Sequence, residues 1–234
     1  MLDQPSKSTH PDGETRFRYL TALELLRSDR TPDAVNILER NISDGCVESM
    51  VLLGTILADG DEEQRRRSIH LFKMATERGS DSGMRNLGYC YAIGLNVEKD
   101  KARGAQLYIE SAKRGNARSA CNIGVMYDYG NGVEQNREEA FRWYTLSAER
   151  GYSRGMTNLG EYYLWGRGTA KDVQSAIKWF KASDSPRANY RLYEIYTGEE
   201  GFQDSVFGRW HLERSADMGY SKAINAFAKV LDSE

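Results

Sequence analysis

Arginines at one repeating position are the residues of this chain best suited to bind a ligand. Arg118 and Arg154 are 36 residues apart, and Arg187 takes the same place in the next segment after a three-residue shift in spacing. The guanidinium group binds a carboxylate through two parallel hydrogen bonds. This series predicts a binding site for an extended peptide that carries acidic groups.

Aromatic and aliphatic side chains share the helical stripe of these arginines, and arginine and aromatic residues are enriched at binding hot spots. The candidate binding residues are Arg85, Tyr89, Ile93, Arg118, Val125, Tyr129, Arg154, Trp165, Arg187 and Tyr190. The same helical register adds Cys121, Thr157, Glu161, Leu164 and Glu194. Two interpretations stay open, because the glutamates could pair with the arginines and the aromatic rings could pack neighbouring segments instead of a ligand.

Other reactive residue types form no pattern that supports catalysis. The three histidines have no Cys or His neighbour at metal-ligand spacing, and the three cysteines form no CxxC pair. The glycine-rich turns lack the GxxxxGK[ST] phosphate-binding sequence. We therefore predict a protein that is not an enzyme, with no catalytic residues, no metal site and no cofactor.

Composition and charge limit the classes of partner that the chain is expected to bind. A net charge of −2 lacks the basic excess typical of nucleic-acid-binding proteins. The sequence shows no signal peptide and no apolar run of membrane-spanning length. Three cysteines cannot all pair with one another, which favours a reducing compartment. We expect a cytoplasmic protein whose partner is another protein or a peptide, not nucleic acid or a membrane, and self-association is also possible.

A 36-residue repeat positions the candidate residues. Asn86, Leu87, Gly88 and Tyr91 recur 36 and 72 residues later, with Ile123 in place of leucine in the first of these copies, which indicates a stack of helical repeats. Each repeat contains a glycine turn, an N-cap residue at position 100, 136 or 172, and a terminating glycine at 79, 115 or 151. Asn96 replaces a turn glycine, which predicts a positive φ there. The repeat therefore encodes two helices, with the candidate stripe on the first.

The repeats divide the chain into eight predicted segments. These are a disordered leader at 1–13, a degenerate helical hairpin at 14–45, repeats at 46–80, 81–116, 117–152 and 153–185, a divergent repeat at 186–220 and a capping helix at 221–234. Pro186 is predicted to begin the helix that follows the shift in spacing.

The phrases ACNIGVMYDYGNGV and EEAFRWYTLSAERG make the chain similar to the Sel1-like repeat family, a relative of the tetratricopeptide repeats. The resemblance implies an all-α fold, a right-handed α-solenoid of antiparallel helix pairs, here with about six repeats and a C-terminal capping helix. It also implies a non-enzymatic adaptor or scaffold that binds a peptide or protein segment along its concave groove.

One cysteine-rich, secreted branch of that family carries a disulfide in each repeat and has been linked to penicillin binding or weak β-lactamase activity. Ala120 and Ala148 stand where that cysteine pair would lie, and this departure weakens the β-lactam interpretation. The alternatives to an adaptor are therefore a weak hydrolase or penicillin-interacting protein, or a self-assembling structural repeat protein.

Overall fold

Helices make up all the regular structure in the computed structural model, which describes residues 12–198 and 204–231. The thirteen helices in these ranges are α1 Gly13–Arg27, α2 Thr31–Ser43, α3 Val47–Leu57, α4 Glu62–Glu77, α5 Asp81–Ile93, α6 Lys101–Lys113, α7 Ala117–Tyr129, α8 Arg137–Glu149, α9 Ser153–Trp165, α10 Val173–Ser183, α11 Pro186–Thr197, α12 Ser205–Asp217 and α13 Ser221–Leu231. The predicted all-α class is confirmed. Most of the predicted leader lies outside the described residues, and α1 begins at Gly13, one residue inside it.

The chain divides into two compact units, residues 1–116 and 117–234. In the first unit, α1 packs with α2, α3 with α4 and α5 with α6, and the α2–α3 and α4–α5 contacts join the pairs. In the second unit, α7 to α12 form three further pairs, joined by the α8–α9 and α10–α11 contacts, and α13 packs on α12. Each unit is therefore a stack of helix pairs of the solenoid type.

Local sequence signals set the helix ends as predicted. The side chains of Asp100, Asn136 and Asp172 each accept a hydrogen bond from the backbone N–H three residues on, at 2.9 to 3.0 Å. Such caps satisfy a donor that the first helical turn leaves unpaired. Asn96 has a φ of 58°, which confirms the prediction made from its place in the turn.

The glycine that follows Leu87, Ile123 or Leu159 lies where the two helices of a repeat approach closely. A Cβ atom on Gly124 would lie 2.8 Å from the Tyr144 ring, and one on Gly160 would lie 2.6 Å from the Phe180 ring. Both rings are at most 2% exposed and have no room to move away. Glycine therefore lets the second helix bury a large ring against the first.

A buried serine near the end of the second helix joins it to the start of the first, a feature the sequence analysis did not identify. In four repeats its hydroxyl donates to a backbone carbonyl at 2.7 to 3.0 Å. These hydrogen bonds join Ser111 to Asp81, Ser147 to Ala117, Ser183 to Ser153 and Ser215 to Pro186. They join the two helices at the end of each pair that lies opposite the turn.

The change of spacing before α11 occurs at Asp184. This residue ends α10 with a φ of 43°, and α11 begins at Pro186 as predicted. Hydrogen bonds from Arg214 and then Asn189 hold the pKa of the Asp184 carboxyl at about 2. Its left-handed backbone thus has the helix-terminating role that glycine has in earlier repeats, and the ion pair with Arg214 holds its side chain.

Candidate functional site

In the first unit, the predicted stripe lies on α5. Tyr89 is 49% exposed and Ile93 is 48% exposed, while Arg85 is half-buried. On the neighbouring face, Asn86 donates through Nδ2 to Thr55 Oγ1 on α3 at 3.3 Å. The apolar residues of the stripe are therefore accessible, and the asparagine beside them joins two repeats.

In the second unit, the stripe ends in two exposed aromatic residues. Tyr129 is the last residue of α7 and is 70% exposed, and Trp165 is the last residue of α9 and is 50% exposed. Ile93, Tyr129 and Trp165 follow one another at 36-residue steps. Three successive repeats thus present a large apolar side chain to solvent at the same position.

Several residues that the helical register placed on this stripe are buried instead, so that part of the prediction was wrong. At most 6% of each is exposed, and they are Cys121, Thr157, Glu161 and Leu164. The reason is packing, because α9 contacts α7 and α8 as well as its partner α10. A helix with neighbours on several sides leaves a much narrower exposed stripe than a helix packed on one side.

Ion pairs divide the predicted arginine series. Arg187 and Arg191 both donate to the buried Glu161 carboxylate, each through Nε at 2.9 Å, and Arg191 also reaches Glu194 at 2.7 Å. Arg154 forms no ion pair within residues 12–198 and 204–231. The charge of Arg187 is therefore balanced inside the protein, whereas that of Arg154 is not.

Two other members of the stripe contact aromatic rings of their own unit. The Arg118 guanidinium lies 5.9 Å from the ring centroid of Tyr152. Tyr190 is half-buried and packs on Tyr193 and Tyr220, with centroid distances of 5.8 and 5.4 Å. Tyr190 thus packs on aromatic rings of its own repeat, 186–220, and not on a neighbouring repeat.

A polar pocket opens between α7 and α9 in the second unit, and we call it the α7–α9 pocket. Its volume is about 110 Å³, and it includes four of the predicted residues. It is lined by Val125, Asp128, Tyr129, Tyr144, Arg154, Asn158, Glu161, Tyr162, Arg167 and Arg187. Tyr129 stands at its border, so the pocket is continuous with the exposed apolar position.

Two buried tyrosines, Tyr144 and Tyr162, line this pocket. Tyr162 is 2% exposed, and its hydroxyl has no hydrogen-bond partner in the described part of the chain. Burial raises the pKa of Tyr162 and of Tyr144, and the nearby Asp128 carboxylate raises both further, without reaching hydrogen-bond geometry to Tyr162. Both hydroxyls therefore stay protonated and able to donate at neutral pH.

The cysteine beside the pocket is not an activated nucleophile. Cys121 is fully buried beside the pocket and accepts a hydrogen bond from Asn158 Nδ2 at 3.6 Å. Burial raises the pKa of its thiol to about 11, so the reactive thiolate is scarce at neutral pH.

In the described ranges, no group of three or more His, Cys, Asp and Glu side chains could hold a metal ion. None of the helices described is both long and apolar enough to cross a membrane.

Sequence reasoning missed four of the ten residues that line the pocket. Asp128, Tyr144, Tyr162 and Arg167 were not among the candidates, since the first two precede a turn or lie on a second helix. Arg167 left a signal: it occupies the turn position that holds uncharged residues, Leu95 and Asn131, in the two preceding repeats.

Comparison with known proteins identifies the repeats. The model of the Sel1 repeat matches residues 47–80, 81–116, 117–152, 153–183 and 186–220. None of the curated proteins gives a match to this chain.

Solved structures share the fold. A protective antigen of uropathogenic Escherichia coli, c5321, which displays an SLR fold, is 26% identical, with a TM-score of 0.76 over 94% of this chain and 49% of the antigen. This chain thus spans about half of that antigen. A Sel1 repeat protein from Oxalobacter formigenes is 22% identical, with a TM-score of 0.79 over 91% of this chain and 87% of its own. The immunity protein Pa5087 of Pseudomonas aeruginosa is 16% identical, with a TM-score of 0.60 over 88% and 83%.

Proposed function

Because the chain belongs to the Sel1 repeat family, whose members generally mediate protein–protein interactions, we propose that it is a non-enzymatic adaptor that binds a peptide or protein segment. The binding surface in each unit is the exposed stripe of the first helices. The observation that carries this proposal is the exposure of Ile93, Tyr129 and Trp165 at one repeated position.

The repeated position of these exposed apolar residues supports a role in binding. Scattered single residues are ordinary on a protein surface, but a series at equivalent positions is typical of a contact surface. Burying a tryptophan or tyrosine side chain in a complex supplies much of the binding free energy. Arg154 adds an uncompensated charge next to this series, which favours ligands with an acidic residue.

Peptide selection tests the proposal. Peptides would be selected from a random library on the purified protein, and their affinities measured by fluorescence anisotropy. Trp165→Ala should weaken binding at least tenfold, because the ring is lost from the surface of contact. Trp210→Ala is the matched control: Trp210 is also 50% exposed in the second unit but lies on the second helix α12.

The outcomes are distinct. Loss of affinity in Trp165→Ala alone supports the stripe as the binding surface. Equal loss in both variants, equal retention in both, or failure to select any peptide would overturn the proposal. Circular dichroism of each variant checks that the helices remain intact.

A further inference from the structure

The α7–α9 pocket has the size of one side chain. Its volume of about 110 Å³ is well below the roughly 300–1,000 Å³ of pockets that enclose whole small molecules. It corresponds to a few water molecules, at about 30 Å³ each in the liquid. The occupant that fits is therefore a single group projecting from a larger ligand that lies on the surface.

The charges that line the pocket favour an anion. Glu161 is already paired with Arg187 and Arg191. Among the described residues, Arg154 and Arg167 have no carboxylate partner, and Asp128 is the remaining anion. Two uncompensated guanidinium groups thus face one carboxylate, which leaves the pocket short of negative charge.

One buried hydrogen-bond donor of the pocket also has no acceptor in hydrogen-bond geometry among the described residues. The Tyr162 hydroxyl is buried and has no hydrogen-bond partner in the described part of the chain, which destabilises the unoccupied pocket. The guanidinium groups of Arg154 and Arg167 offer donors only. A carboxylate is the group that supplies both the missing acceptor oxygens and the missing charge.

We infer that the α7–α9 pocket is a subsite for one aspartate or glutamate side chain of a bound peptide, an inference that rests on the proposed function. Tyr129 lines the pocket, and Trp165 ends α9, the helix that also supplies Arg154 and Asn158. An acidic residue next to an apolar one is therefore the sequence that this surface selects.

Capped amino acids test the pocket without a known partner. N-acetyl-glutamate N-methylamide would be titrated into the ¹⁵N-labelled protein, with the glutamine and lysine analogues as probes of charge. The glutamate probe should shift the Arg154 Nε–H and Asn158 signals, and the glutamine probe should bind about tenfold more weakly because it lacks the charge. Arg154→Gln should weaken glutamate binding by a similar factor.

Arg142→Gln is the control, because Arg142 is an exposed arginine of the same unit that lies on the second helix α8 and pairs with Glu139. It should leave glutamate binding unchanged. No glutamate-induced shifts, or shifts that persist in Arg154→Gln, would overturn the inference. Preference for the lysine probe would do the same, since the site would then belong to Asp128 and the tyrosines.

Different experimental results would contradict the acidic subsite and the proposed adaptor function. Selected peptides that depend on Trp165 but show no change on Glu→Gln replacement would preserve the adaptor and remove the acidic subsite. If no peptide binds the stripe, the adaptor proposal fails whatever the capped amino acids do. In a bound peptide, the Glu→Gln change and Arg154→Gln should be non-additive, because each removes the same contact.

Discussion

At the scale of residues, burial changes what single side chains can do. His211 is 4% exposed and stacks on Tyr196, with Nδ1 at 2.7 Å from Asn189 Oδ1. Its Nε2 has no hydrogen-bond partner in the described ranges. Burial, and then the charge of Lys181, lowers the pKa of His211 from 6.5 to about 4. The imidazole is therefore a neutral structural group at physiological pH.

This pKa predicts how stability depends on pH. The unfolded chain binds the His211 proton near pH 6.5, whereas the folded protein binds it only near pH 4. The contribution to folding is therefore complete above pH 6.5 and is lost progressively as the pH falls toward 4. His211→Phe should lose less stability over this interval than the natural protein, as measured by urea denaturation at pH 7 and pH 4.5. Equal losses in both proteins would contradict the pKa shift.

At the scale of elements, the helix caps and turns could be predicted from the sequence, whereas the burial of residues on each helix could not. The caps Asp100 and Asn136, and the positive φ of Asn96, depend on a few adjacent residues, so the sequence predicts them correctly. The burial of Glu161 depends on the packing of α7 against α9 and on Arg187 and Arg191 of α11, which lie many residues away in the chain. A helical wheel shows which residues share a face but not how many neighbours cover that face. The α7–α9 pocket was missed for that reason.

The close approach of paired helices gives a second prediction. Gly160→Ala should destabilise the protein by about 1–3 kcal/mol, because its Cβ would overlap the buried Phe180 ring and force the helices apart. Gly13→Ala is the control, since no atom lies within 4 Å of its Cβ position. Chemical denaturation measures both. Similar stabilities for the two variants would show that α9 and α10 tolerate wider spacing.

At the scale of the whole molecule, the final helix α13 bears on the alternative of self-association. It packs on α12 and buries Ala223, while Ile224 and Leu231 are 47% and 51% exposed. Terminal elements of repeat proteins generally shield the last apolar surface from solvent. The capping role of α13 therefore stays a prediction, and the helix leaves Ile224 and Leu231 exposed.

Truncation after Tyr220 tests that role. Removal of α13 should expose the apolar surface of α12 and produce oligomers whose fraction rises with protein concentration. Light scattering coupled to size-exclusion chromatography measures the mass, and circular dichroism checks the remaining helices. A truncated protein with the same oligomeric state as the full chain at every concentration would show that α13 is not a cap.

The location of a bound peptide tests the adaptor proposal most directly. Amide hydrogen exchange would be compared for the protein alone and with a peptide selected as above. The proposal predicts slower exchange in the last turns of α7 and α9, which carry Tyr129 and Trp165, and unchanged exchange in α8 and α10. Protection confined to α8 and α10, with none in α7 or α9, would contradict binding on the first-helix stripe.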